Sequence, residues 1–306
     1  MSGTVALTGA TGFIGSALRQ ALVDRGFHVR ALTRRPQPAV VNITWVQGDL
    51  QTPAALATLL AGAHSLVHCA GAVRGRSADE FNRANVEGTR AIVSACLAQT
   101  HRPRLLFIST LAARAPELSW YASSKAAAEN VIQQQGHDLQ WTILRPTAVY
   151  GPGDREMRPL FQWLLRGILP TPQPAGSRFS LLHVDDLCAA VLQWLSHPIE
   201  TNRIFELCDG TDGGYDAATL ARTVESQYGG RVHILNLPAT LLQMAARVNL
   251  LLSRATGRSP MLTPGKVREL IHPDWNANAG EFARATGWTP RVRFQDALLG
   301  RRLFFT

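Results

Sequence analysis

The stretch Thr8-Gly9-Ala10-Thr11-Gly12-Phe13-Ile14-Gly15 follows the apolar run Val5-Ala6-Leu7 and leads into an amphipathic segment over residues 13–25. It reads as a strand, a glycine-rich turn and the start of a helix. Gly9 permits the tight turn, Gly12 lets backbone amides approach a diphosphate, and Gly15 allows helix and strand to pack closely. The helix N-terminus adds unpaired N–H donors and partial positive charge. The spacing is G-x-x-G-x-x-G, not the commoner G-x-G-x-x-G, so its place after the first strand carries the reading of a pyrophosphate-binding loop.

Outward from this loop, short apolar runs alternate with helix-like segments. Strands are expected at Val5–Thr8, His28–Thr33, Ile43–Gln47, Ser65–Ala70, Leu105–Ser109 and Thr142–Arg145. Amphipathic stretches lie near 13–25, 53–61, 80–99 and 119–135. Near-continuous apolar strands alternating with helices indicate an α/β fold, a parallel sheet covered on both faces. The texture changes after Arg145-Pro146. Gly151–Asp154 and the Pro-rich Leu169–Gly176 read as loops. Helices are expected at Asp186–Leu195 and Ala217–Gln227, with a strand at Arg203–Leu207 between them. This places a cofactor-type domain at 1–150, part of 180–207 returning to it, and a smaller substrate-binding lobe in 151–306.

The chain has 306 residues, 46% of them hydrophobic and 17% charged, which excludes disorder. No uncharged apolar run approaches the ~18–20 residues a bilayer span needs, and no leader pattern is seen. Cys69, Cys96, Cys188 and Cys208 are too scattered for a zinc knuckle or a disulfide framework, so a cytoplasmic protein without a structural metal is expected. The net charge is +9. Its basic pairs, such as Arg34-Arg35 and Arg301-Arg302, are dispersed, so nucleic acid is not the expected partner. The segment 226–268 has six basic residues and no acidic one. Within it, Leu237–Leu252 is apolar around most of its circumference, as in a buried helix of the second lobe. The alternative is a surface that meets a membrane or a lipid-like molecule.

The second strand ends in Thr33-Arg34-Arg35, where an NAD site usually places an acid for the ribose hydroxyl. An arginine accepts a 2′-phosphate with charge-assisted bonds, so NADP(H) is favoured and NAD(H) is the alternative. Asp49, after the third strand, is placed to accept from an adenine amino group or to cap the next helix. Only two of the 31 basic residues are lysines, Lys125 and Lys266. Lys125 closes Tyr121-Ala-Ser-Ser-Lys125, which sets a phenol and an ammonium one turn apart on one helix face. The ammonium is expected to lower the phenol's pKa, so that Tyr121 relays a proton to or from a substrate oxygen. Ser109 or Thr110, at the end of the fifth strand, would hold that oxygen. His183, Asp185 and Asp186 crowd a strand-to-helix junction and read as a capped helix start.

These motifs together resemble the extended short-chain dehydrogenase/reductase superfamily, in its NAD(P)-dependent epimerase/dehydratase-like group. The resemblance rests on Thr8–Gly15, Gly48–Leu50, Val67–Gly71, Asn85–Thr89, Ser109-Thr110, Tyr121–Lys125, Arg145–Gly153, His183–Asp186 and Gly287–Pro290. It implies a Rossmann-type doubly wound sheet and a catalytic set of Thr110, Tyr121 and Lys125. It also implies that Gly9, Thr11, Gly12, Phe13, Ile14 and Gly15 hold a pyrophosphate, with Asp49 and Leu50 at the adenine. Ala70 and Gly71 would lie along the central cofactor, and Pro146 against the nicotinamide. Arg178 is a candidate for gripping a substrate phosphate. The expected activity is NADP(H)-dependent hydride transfer to or from a carbonyl or secondary alcohol of a small molecule. A nucleotide-sugar epimerase or dehydratase is the rival, and a non-catalytic NADPH-binding subunit is the alternative of another class. Any homodimer would use the helices near 80–99 and 119–135.

Overall fold

The computed structural model describes residues 3–172, 174, 176–197, 201–257, 259–300 and 303; the Arg301-Arg302 pair lies outside the described residues. Seven strands form one parallel sheet: β1 (Thr4–Thr8), β2 (His28–Thr33), β3 (Ile43–Gln47), β4 (Ser65–His68), β5 (Arg104–Ile108), β6 (Trp141–Pro146) and β7 (Arg203–Leu207). Their order is β7-β6-β5-β4-β1-β2-β3. The order reverses between β1 and β4, and ligands bind outside the carboxyl ends of strands at such a switch point.

Both faces of the sheet are covered, which explains the unbroken apolar runs. Successive side chains alternate between faces. Val5 and Leu7 meet α1 (Phe13–Asp24) and a helix late in the chain, while Ala6 packs with the helices Pro53–Leu60 and Gly88–Leu97. The second face is completed by α2 (Trp120–Gln135), through Ala128, Val131 and Ile132. The late helix, α3 (Val184–Ser196), buries Leu187, Ala190, Val191 and Trp194 against the first face. Strand β7 pairs with β6 from Arg203 to Leu207, so the chain returns to the sheet after its excursion.

A separate core holds the second lobe together. Tyr150, Phe161, Leu164, Tyr215 and Phe294 form its centre. Short parallel strand pairs brace it, among them Ile168–Thr171 with His233–Asn236. That pairing corrects the loop expected over 169–176: Pro170 is tolerated on a short two-stranded ribbon, where few ladder donors are needed. The start of α3 is capped as expected, by the histidine of the trio and not by an aspartate. Its N-cap is His183, whose Nδ1 accepts from Asp185 N at 3.3 Å. The Asp186 carboxylate instead accepts from Arg291 N and Val292 N, both at 2.9 Å, and Trp288 Nε1 donates to the Asp186 carbonyl. Asp186 therefore fastens the tail Gly287–Pro290 to α3. No group of His, Cys, Asp and Glu suited to a metal occurs among the described residues.

The apolar segment near 237–252 also departs from the favoured expectation. It forms helix α4 (Ala239–Thr256), but its apolar stripe faces outward. A shorter helix, α5 (Pro264–Ile271), follows it. Among the described residues no helix is long and apolar enough to cross a membrane.

Candidate active site

The glycine loop occupies the switch point. Gly9 has φ +72°, and a Cβ there would stand 2.7 Å from Ala70 N, so only glycine lets the end of β1 lie against the backbone leaving β4. A Cβ on Gly15 would sit 2.0 Å from the Gly9 carbonyl oxygen, which sets the first turn of α1 directly on the loop. Gly12 caps α1 in extended conformation with no side-chain cap, and the first turn carries no acid. The first N–H groups of α1 thus stay open to an anion. This arrangement fits a dinucleotide pyrophosphate. Thr11 and Gly12 are exposed at the loop's crest, while Phe13 and Ile14 are half-buried.

Arg34 and Arg35 project into solvent beyond β2. Thr33 Oγ1 donates to the Arg35 carbonyl at 2.7 Å and fixes the turn that presents them. Asp49 Oδ1 accepts from Gln51 N at 2.9 Å and Thr52 Oγ1 at 2.8 Å. It braces the turn before the helix Pro53–Leu60, whose N-cap is Thr52. Leu50 packs on Gly88, where a Cβ would stand 2.6 Å from its Cδ1. Ala70 and Gly71 follow β4 at the switch point. Pro146 ends β6, buried and in register with Leu207.

A directional chain of hydrogen bonds organises the carboxyl ends of β1 and β4. Thr89 Oγ1 donates to the Asn85 carbonyl at 2.6 Å, so it accepts from His68 Nε2 at 3.2 Å. His68 Nδ1 is then the acceptor for Thr8 Oγ1 at 2.7 Å, and Thr8 accepts in turn from Ala70 N at 3.2 Å. Only a neutral imidazole satisfies both ends. Burial, assisted by the Lys125 charge, accordingly lowers His68 to about 3. Unfolded, the same group titrates near 6.5, so the unfolded chain takes up a proton that the folded one refuses. This contribution is complete above that value and is lost as pH falls towards 3, at about 1.4 kcal/mol per pH unit. The denaturation midpoint is expected to fall between about pH 7 and about pH 5. His68→Asn is expected to start less stable and to show a flatter pH slope, measured by urea titration.

Asn85 was not singled out for a role in the sequence, although it belongs to the Asn85–Thr89 motif. It lies in a π-helical segment, Asn82–Glu87, within the helical run 78–97. Its Oδ1 accepts from Ala72 N at 2.7 Å, and its Nδ2 donates to the Ala72 carbonyl at 3.1 Å and to Ser124 Oγ at 2.8 Å. Ser124 Oγ then donates to the Tyr121 carbonyl at 2.8 Å. One amide thereby ties the loop after β4 to the helix carrying Tyr121. A buried asparagine inside a helical pattern, where its propensity is poor, was the signal available.

Tyr121 stands in the first turn of α2, with Lys125 one turn on. Ser119 caps this helix by accepting from Ala122 N at 2.9 Å, and its hydroxyl donates to the buried Glu269 of α5. Tyr121 is half-buried, its ring 6.2 Å from that of Phe81. Burial pushes its phenol well above the usual range, while the hydrogen bond with the Thr110 side chain pulls the other way. The expected lowering by Lys125 is overturned. Lys125 Nζ donates to the Ile108 carbonyl at 2.8 Å and lies 4.0 Å from the centre of the Phe107 ring, so its charge is committed to β5. Burial lowers Lys125 to about 8, opposed by Cys69 and Glu129.

Ser109 and Thr110, interchangeable in the sequence, are separated by the fold. Ser109 is buried, and its hydroxyl donates to Glu129. Glu129 is itself 1% exposed and paired with Arg145, whose Nε lies 3.0 and 3.2 Å from the two carboxylate oxygens. Ser109 thus closes a buried ion pair between α2 and β6. Thr110 faces Tyr121. Arg178, in the second lobe, pairs with Asp216 at 3.3 Å.

Residues 5–208 match the NAD dependent epimerase/dehydratase family. The chain belongs to that family. It is an NAD(P)-dependent enzyme of the short-chain dehydrogenase type, a group of reductases, dehydrogenases and epimerases. It is 34% identical to the ceramide reductase of Caulobacter vibrioides, over 94% of this chain and 97% of that protein. It is 25% identical to the decarboxylating sterol-4-alpha-carboxylate 3-dehydrogenase of Saccharomyces cerevisiae, over 96% of this chain and 95% of that one. Among solved structures, MoeE5 in complex with UDP-glucuronic acid and NAD superposes with a TM-score of 0.75, covering 97% of each chain at 21% identity. The shared fold is the doubly wound sheet with its second lobe.

Proposed function

We propose that this enzyme is an NADPH-dependent reductase of a ketone on a long-chain, lipid-like substrate. The observation that carries the reading is the Tyr121 phenol, set in the first turn of α2 with Lys125 one turn on and hydrogen-bonded to Thr110 at the carboxyl edge of the sheet. A phenol that stays protonated at neutral pH has a proton to give, and the far more basic alkoxide formed from a ketone can take it. Thr110 would hold the ketone oxygen beside it. As hydride reaches the carbonyl carbon, the C=O π bond breaks onto oxygen, and Tyr121 gives that oxygen its proton to yield a secondary alcohol. Lys125 remains mostly charged at neutral pH, spends one donor on Ile108 and keeps others for a ribose hydroxyl.

The residues fit the dinucleotide this requires. Gly9, Thr11, Gly12, Phe13, Ile14 and Gly15 would enclose its pyrophosphate, and Asp49 and Leu50 would border the adenine. Ala70, Gly71 and Pro146 would flank the rest, with Arg34 at the 2′-phosphate. The bound cofactor supplies the hydride. The names of the two relatives support a carbonyl or hydroxyl on a large apolar body. Arg178, paired with Asp216 at 3.3 Å and half exposed, stays the candidate for a substrate phosphate should the epimerase reading hold. All four cysteines are free thiols, in keeping with a cytoplasmic setting.

The test is NADPH consumption by purified protein given a long-chain 3-oxo amide in detergent micelles, with UDP-sugars as controls. Cofactor loss matched by formation of the secondary alcohol is expected. Interconversion of UDP-sugars without added cofactor, and no response to ketones, would replace this reading with the epimerase one.

A further inference from the structure

Helix α4 is amphipathic in the inverted sense. Leu241, Met244, Val248, Leu251 and Leu252 recur at helical spacing along one side, and each is between 52% and 63% exposed. The opposite side holds the chain's own contacts and is partly polar. Asn249 Nδ2 donates to the Leu262 carbonyl at 3.0 Å, Gln243 Nε2 approaches the Pro264 carbonyl at 3.4 Å, and Ala246 and Ser253 are buried. A water-exposed helix would orient these faces the other way. Large exposed apolar stripes on otherwise soluble folds mark contact surfaces.

Charge identifies the occupant. Residues 226–268 contain six basic residues and no Asp or Glu; Arg231 and Arg247 are exposed, whereas Lys266 pairs with Glu269 at 3.0 Å and Arg268 is bonded to the Leu118 carbonyl. Arg247 is exposed on α4 itself. Two copies meeting through this segment would bring cation to cation in a chain that already carries +9. An anionic lipid surface instead accepts the apolar stripe among its acyl chains and the cations among its headgroups. The helix cannot span a bilayer, so the contact is interfacial.

Its position links the stripe to the active site. Gly257, which ends α4, lies beside Arg76: a Cβ there would stand 3.8 Å from Nη1. Arg76 belongs to the loop that continues from Gly71 and Ala72. After α4, helix α5 seats Gly265 against Ser119, Arg268 Nε donates to the Leu118 carbonyl at 2.8 Å, and Glu269 receives the Ser119 hydroxyl. Ser119 is the N-cap of the helix that carries Tyr121.

We propose that the outer face of α4 docks on an anionic lipid bilayer and holds the sheet edge beside Tyr121 close to the membrane surface, so that a lipid ketone reaches it without crossing water. The delivery half rests on the ketone-reductase reading; the docking half does not.

The experiment is flotation of the full chain with vesicles of phosphatidylglycerol and phosphatidylcholine, against phosphatidylcholine alone, for wild type and Met244→Glu/Val248→Glu/Leu251→Glu. These positions are exposed, so circular dichroism and NADPH affinity should match wild type. Wild type is expected to float with the anionic vesicles and to be released by salt. The triple variant should lose at least ~10-fold of the bound fraction. It should keep its turnover on a short water-soluble ketone and lose turnover on a long-chain ketone embedded in vesicles. The docking is overturned if wild type stays with the soluble fraction, if the variant floats equally well, or if the substitutions instead dissolve a dimer of a chain that never binds vesicles. Flotation without reduction of any ketone supports the docking and removes the ketone-reductase reading alone.

Discussion

Tyr121→Phe is expected to lower kcat by about 100- to 10,000-fold, the range over which a positioned general acid contributes, with NADPH affinity unchanged. The phenol hydroxyl is the only atom removed. The ring that packs near Phe81 stays, and so does the Tyr121 carbonyl that receives Ser124. Stopped-flow NADPH oxidation at saturating ketone measures the effect. A loss confined to KM would show that Tyr121 only binds substrate. The pH profile adds a second mark. Burial keeps the phenol protonated, so Tyr121 itself sets no alkaline limb in the neutral range. Lys125, lowered to about 8, loses its charge as pH rises through that value. Activity is therefore expected to decline on the alkaline side in the free-enzyme profile of kcat/KM. An anionic cofactor favours the charged lysine, so the limb in kcat moves to higher pH.

Much of this was legible in contiguous sequence because the physics there is local. A parallel sheet buried on both faces writes its strands as unbroken apolar runs, and β2, β3 and β7 begin and end where the sequence placed them. Strand β4 stops at His68, two residues early, because Cys69 and Ala70 turn to meet Gly9 and Thr8. A glycine loop and a Tyr-x-x-x-Lys pair carry their geometry in their spacing. What spacing cannot show is which distant partner a side chain takes. Ser109 and Thr110 are equivalent hydroxyls until Glu129 and Arg145 claim the first. Lys125 is one turn from Tyr121, yet its ammonium reaches back to Ile108. The periodicity of α4 shows an apolar stripe but not the direction it faces. That depends on whether Gln243 and Asn249 find carbonyls inside, and they do.

Arg34→Ala is expected to raise the Kd for NADPH about 10- to 100-fold and to leave that for NADH unchanged. One charge-assisted bond to a phosphate contributes about 1.5–3 kcal/mol, and each 1.4 kcal/mol is tenfold. The site is open to solvent, so the difference should shrink as salt screens it. Arg35 stands beside Arg34 on the same turn, held by Thr33, and the double variant Arg34→Ala/Arg35→Ala should discriminate still less between the two cofactors. Fluorescence titration of both reduced cofactors decides between two roles for the guanidinium. If Arg34 stacks on adenine, its loss weakens NADPH and NADH alike, because both carry the same base. If it holds the 2′-phosphate, only NADPH weakens. A wild type that binds NADH as tightly as NADPH and is indifferent to Arg34 would remove the NADPH assignment while leaving the glycine loop's role untouched. The loop grips the pyrophosphate, which is common to both dinucleotides.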